Sequence, residues 1–155
     1  MAVRRSVRGF LGERVVVVVW SVAALLVAYR MLGRATDDIY ITYRYAWNLA
    51  HGAGLVFNPG ERVFGVTDPG VALLLGWLHW LSRVDVARLG TLLTAAWLLG
   101  AARVLLRAAA RNGYRVEGIV GGTLLVASPY LWTVQGSGPL AVLAFLMVAA
   151  VRAER

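Results

Sequence analysis

Two adjacent carboxylates, Asp37 and Asp38, are the first residues in this chain equipped to do chemistry. They follow Thr36 and open the stretch Ile39–Ala50, whose pattern predicts a helix stopped at His51-Gly52. Such a carboxylate can act as a general base on an acceptor hydroxyl, or ligate a divalent cation through oxygen. A plainer reading is helix capping, with Thr36 as N-cap and two acids in the first turn favoured by the helix dipole. Both readings can hold at once. Arg44 follows six or seven residues later, about two helical turns, where its guanidinium can take a phosphate or pair with a nearby acid. Tyr40, Tyr43 and Trp47 sit at helical spacing. Residues 55–64 read as two short extended pieces around the tight turn Asn58-Pro59-Gly60. His51 and His79 stand alone, and no metal-binding histidine pair, phosphate loop or nucleophile elbow occurs. Cysteine is absent, which removes disulfides, thiolate metal sites and a cysteine nucleophile.

The elements that must position these residues are hydrophobic. Of the 155 residues, 59% are apolar even without glycine, and the mean hydropathy is +0.67. Soluble domains reach about 45–50% with glycine counted. The apolar residues also lie in blocks, the pattern of membrane spans and not of a soluble core. All 16 basic residues are arginine and the net charge is +8. They flank the apolar blocks and form no basic face interleaved with aromatics, so the chain is not read as a nucleic-acid binder.

The sequence thus predicts an all-α integral membrane protein with four transmembrane helices. Residues 1–14 form a basic cytoplasmic tail and 15–32 the first span, an uncleaved helix rather than a secretory signal. Residues 33–87 form a long outer loop holding five of the eight acids. That loop carries two juxtamembrane helices, 38–50 and 70–82. The second contains Trp77, His79 and Trp80, is too short to span, and suits the membrane interface. The second span is 88–106, and the cytoplasmic loop 107–117 takes its side from Arg107, Arg111 and Arg115, with Arg103 just before it. A third span covers 118–134, kinked or ended at Ser128-Pro129-Tyr130. An outer turn at 135–138 leads to a fourth span at 139–152. The location is the inner (plasma) membrane, crossed several times.

The run from Asp37-Asp38 through Arg44-Tyr45, Asn48-Leu49, Gly52, Gly54-Leu55-Val56-Phe57-Asn58-Pro59-Gly60-Glu61-Arg62-Val63 to Gly65-Val66-Thr67-Asp68-Pro69 resembles the first outer loop of bacterial GT-C glycosyltransferases. These are polytopic enzymes of the arabinofuranosyl- and mannosyltransferase-like kind that use polyprenyl-phosphate sugars. The stretch also lies where that family carries it, after the first span. The resemblance implies an inverting sugar transfer outside the membrane. It implies that the acid pair is the catalytic signature, Asp38 being the first choice and Asp37 the second. Arg44, Arg62, Tyr40, Asn58 and Glu61 are the substrate-binding candidates within the same stretch. Ser128-Pro129-Tyr130 and Gly136-Ser137-Gly138 resemble the family's next outer loop without its glutamate.

Family members are several times longer, with many more spans. The resemblance therefore implies that this is an amino-terminal module, completed by further chain or by a second polypeptide supplying the remaining helices. The other expected partners are membrane lipid and the polyprenyl-phosphate sugar donor. No cofactor is required by the sequence, though a divalent metal is compatible with the acids. The alternative is a non-catalytic membrane subunit or remnant of such an enzyme. A channel or transporter finds no support, because no acid or histidine sits in the middle of a span.

Overall fold

The protein is seen in a computed structural model that describes residues 2–34, 36–61, 63 and 65–136. Its elements are α1 (Ala2–Met31), α2 (Asp37–Ala50), α3 (Pro69–Ser82), α4 (Val86–Arg111), α5 (Arg115–Ala127) and α6 (Pro129–Thr133). The described residues contain no strand. Residues 55–61 run as bends and a turn, with Gly60 at φ 89° where a β-carbon would be strained.

Two helices among the described residues are long and apolar enough to cross a membrane: the Gly12–Met31 part of α1, and α4. Four were expected. The stretch 118–134 fails for a local reason. Ser128 is extended (φ −65°, ψ 112°) ahead of Pro129, which lacks an amide hydrogen and biases the residue before it away from helix. Helix α5 therefore ends after 13 residues, about 20 Å of rise against the ~30 Å of a bilayer's hydrocarbon core. The expected fourth span, 139–152, lies outside the described residues, as does the end of the expected turn at 137–138.

Helix α4 is central and packs on both α1 and α5. Ala24 and Ala28 of α1 are buried in the same core as Ala95, Leu98, Ala102 and Leu106 of α4. Small side chains on both helices let their backbones come close. Trp20 seals α1 onto α5: its ring occupies the space a β-carbon on Gly122 would take, and its Nε1 donates to Thr123 Oγ1 at 3.0 Å. The α4–α5 turn passes through Asn112 and Gly113, the latter at φ 86°.

α1 and α4 run antiparallel. Arg14 lines the same cavity as Arg103 and Arg107 at one end. At the other end the buried Gln135 bridges the two helices, donating to the Met31 carbonyl at 3.1 Å and accepting from Thr91 Oγ1 at 2.7 Å. α2 and α3 pack on each other and on α4 near the Gln135 end. A β-carbon on Gly76 would lie 2.9 Å from the Ala46 carbonyl oxygen, so the α2–α3 contact is backbone to side-chain-free backbone.

Candidate functional site

Helix α2 has two working faces. Ile39, Thr42, Tyr43, Tyr45, Ala46 and Asn48 are buried. Asp37, Tyr40, Arg44 and Trp47 are exposed and fall at spacings of three, four and three, a single helical stripe. That stripe forms one wall of a cleft of about 470 Å³. Ile41 and Tyr43 of the same helix, Phe57, and the start of α4, Asp85 with Val86 and Ala87, complete it.

Thr36 occupies the N-cap position of α2, but its side chain does not cap the helix. Its hydroxyl instead donates to the Thr133 carbonyl at 3.5 Å, tying the entry of α2 to α6. Capping by Thr36 was the plain explanation of this segment, and that part of it does not hold. Asp37 and Asp38 still lie in the first turn, where the dipole favours them. Neither forms a hydrogen bond or ion pair to a side chain among the described residues. Asp37 lines the cleft; Asp38, one residue and about 100° further round the helix, is exposed and does not.

Arg44 is held from behind. Its Nε donates to the Phe57 carbonyl at 3.3 Å, while Asn48 Nδ2 donates to the carbonyls of Val56 and Phe57 at 2.9 and 2.7 Å. The Tyr45 hydroxyl donates to the Val63 carbonyl and accepts from the Gly65 amide, both at 2.8 Å. These bonds clamp the loop after α2 against the helix and carry Phe57 into the cleft. Asp37 and Arg44 are seven residues apart, about 10 Å of helical rise. That separation is too long for a direct ion pair and leaves a gap bordered by Tyr40.

Tyr40 therefore lines the cleft as a candidate, whereas Asn58 and Glu61 do not. Asn58 Nδ2 donates to Glu61 Oε2 at 2.9 Å, and the Glu61 amide donates back to the Asn58 carbonyl at 3.1 Å. Both residues serve the turn. Arg62 lies outside the described residues. Tyr43, grouped with Tyr40 and Trp47 by its spacing, borders the same cleft but from the buried side of α2. It is buried, its hydroxyl donates to the Gln135 carbonyl at 3.3 Å, and its ring takes the space beside Gly90. Burial pushes its phenol pKa well up, and the nearby Tyr40 and Asp85 push it further.

Asp85 is the cleft residue that sequence reasoning passed over. It is the N-cap of α4 and accepts from the amides of Ala87 and Arg88 at 3.0 and 3.1 Å. Its capping role is visible in the sequence as an aspartate ahead of an apolar run. Its place across from Asp37 depends on how α2 docks on α4, and no local signal carries that. Among the described residues no group of three or more His, Cys, Asp or Glu could hold a metal ion. Asp37 and Asp85 are the two carboxylates a divalent cation would meet in this cleft, and magnesium sites commonly combine one or two carboxylates with phosphate oxygens of a substrate. His51 stacks on Trp47 with ring centroids 4.2 Å apart, and His79 meets the same ring tilted, at 4.8 Å. Both histidines bond backbone carbonyls through Nδ1, His51 that of Trp47 and His79 that of Val84, and the ring contacts of His79 with Trp47 and His51 join α3 to α2. Compared with protein-family models, with curated proteins and with solved structures, the chain matches none.

Proposed function

We propose that this chain is the amino-terminal module of a membrane glycosyltransferase that moves a sugar from a polyprenyl phosphate to an acceptor hydroxyl on the outer side of the membrane. The observation that carries the reading is the stripe Asp37–Tyr40–Arg44–Trp47 along one cleft, with an unpartnered carboxylate at one end and a guanidinium about two turns away. An inverting transfer needs this separation. The acceptor oxygen lies between the base and the anomeric carbon, and the leaving phosphate lies beyond that carbon.

In this reading Asp37 accepts the proton of the acceptor hydroxyl. The oxygen attacks the anomeric carbon, the bond from that carbon to the phosphate oxygen breaks, and the electron pair leaves with polyprenyl phosphate. Arg44 stabilises the charge that develops on that phosphate. Tyr40 and Trp47 offer flat apolar faces to the sugar ring. Asp37 takes precedence over Asp38 because it lines the cleft and Asp38 does not.

The membrane setting is part of the proposal. α1 and α4 are the two helices long and apolar enough to cross, and the exposed side of α1 is apolar from Val15 through Val18, Val22 and Leu25 to Tyr29. A continuous apolar strip of that length is unusual on a soluble monomer. α2 and α3 then lie at the outer surface, with Trp77 and Trp80 of α3 exposed toward the headgroups.

The test is retention of polyprenyl phosphate by the chain in nanodiscs, read by native mass spectrometry, followed by transfer from a panel of polyprenyl-phosphate sugars in membranes that also hold the rest of the transferase. Wild type should retain the lipid and Arg44→Gln should lose it. Failure to retain the lipid, with no transfer from any donor, overturns the reading. Retention without transfer assigns the non-catalytic subunit role instead.

A further inference from the structure

At the end of the bundle remote from the cleft, α1 and α4 enclose a second cavity of about 500 Å³. Its charged lining is three arginines, Arg14, Arg103 and Arg107, against one acid, Glu13. Its apolar lining includes Val17 and the exposed Val18, inward of Arg14 on α1. Arg103 and Arg107 stand one turn apart on α4, both exposed, and neither makes a hydrogen bond or ion pair among the described residues. Like charges at this spacing repel and cost helix stability. The arrangement is stabilised when an anion lies among them.

The position of this cavity says which anion. Val86 and Arg103 are 17 residues apart on α4, about 25 Å, so the two cavities stand at opposite ends of the uncharged stretch. An arginine cluster just past such a stretch, above an apolar floor, has the layout of a phospholipid: charged head outward, hydrocarbon inward. Basic pockets between membrane helices on the cytoplasmic side take anionic headgroups.

We propose that this cavity binds the phosphate of an anionic phospholipid from the leaflet at the Arg103 end. Arg103 and Arg107 hold the phosphate oxygens and Val17 and Val18, inward of Arg14 on α1, receive the first carbons of an acyl chain. This rests on the membrane placement of α1 and α4 and is independent of the transferase chemistry. Glu13 disfavours a second anionic group, so one phosphate fits better than a polyphosphate.

The experiment titrates the full chain, purified in neutral detergent, with phosphatidylglycerol, phosphatidylcholine or inorganic phosphate, read by native mass spectrometry. Phosphatidylglycerol should bind in preference to phosphatidylcholine and resist displacement by inorganic phosphate. The double variant Arg103→Gln/Arg107→Gln should weaken it about thirtyfold, at roughly 1 kcal/mol per arginine. Arg111→Gln, at the same end but outside the cavity, should leave it unchanged. Equal binding of the two lipids, equal loss in Arg111→Gln, or displacement by inorganic phosphate each overturns the proposal. Carbonate washing of membranes separates the two failures. A chain that stays in the membrane without lipid preference loses this site alone, whereas a chain that washes out loses the membrane placement and the site together.

Discussion

Asp37 and Asp38 are neighbours in sequence and differ in what they face. Asp37 lines the cleft, and Asp38, exposed one residue further on, does not. Asparagine at either position preserves the size and the preference for a helix start but cannot accept a proton. Asp37→Asn should therefore lower transfer by ~10²–10⁴-fold, the usual worth of a general base, with membrane insertion unchanged. Asp38→Asn should keep most turnover. Near-normal transfer in both variants would mean that the acids only start a helix. Tyr43 gives a second test that needs no substrate. Its folded pKa is raised above the ordinary tyrosine value, so the folded state holds the phenolic proton more tightly than the unfolded state. This contribution is fully present below about pH 10 and is lost as pH rises from there toward the folded pKa. Thermal unfolding of the wild type in detergent should fall with pH above that point, and Tyr43→Phe should flatten the fall. An identical alkaline loss in Tyr43→Phe would show that the buried phenol is not its source.

The α2–α3 pair keeps the wall of the cleft in place, and its weakest tolerance is at Gly76. A β-carbon there meets the Ala46 carbonyl at 2.9 Å, and backbone cannot swing aside as a side chain can. Gly76→Val should cost ~1–3 kcal/mol by overpacking and reduce polyprenyl-phosphate retention, since α2 must shift. Gly100→Ala is the control: no atom lies within 4 Å of its β-carbon, and thermal unfolding should show no loss. Elements of this kind were largely readable beforehand. Stretches read as helical at 38–50, 70–82 and 88–106 coincide with α2, α3 and the middle of α4, because Pro69, Asp85 and Gly52 punctuate the chain with local chemistry. The stripe Asp37–Arg44 was readable too, since both lie on one helix. The partners from elsewhere were not. Asp85 reaches the cleft only through docking of α4. Tyr43 turns inward because Gly90 leaves room for its ring. Gln135, assigned to an outer turn by the sequence, is buried between α1 and α4 with its side chain bonded to both. Each depends on contacts more than forty residues apart in sequence, where periodicity and turn chemistry carry no information.

The two long helices agree about where a bilayer would lie. α1 has no charged residue between Arg14 and Arg30, and α4 none between Arg88 and Arg103. These uncharged stretches span about 22 and 21 Å of helical rise, and arginines long enough to snorkel extend the reach at each end. The antiparallel packing brings them level, Arg14 beside Arg103 and Arg107, Met31 joined to Thr91 through Gln135. A single slab of hydrocarbon therefore fits both helices at once. In the orientation proposed above, the side with Arg103, Arg107, Arg111 and Arg115 takes the cytoplasm, as the positive-inside bias expects, and the α2–α3 pair faces out. The chain has no cysteine, so single introduced thiols report position without background. Pro59→Cys lies in the exposed turn after α2, and Asn112→Cys in the exposed turn between α4 and α5. In intact cells a membrane-impermeant maleimide should label Pro59→Cys and leave Asn112→Cys unmodified until the membrane is opened. The reverse pattern would invert the orientation and put the cleft in the cytoplasm, where its donor would have to be a different one. Labelling of both positions in intact cells would break the slab altogether, because α4 would then no longer separate its two ends.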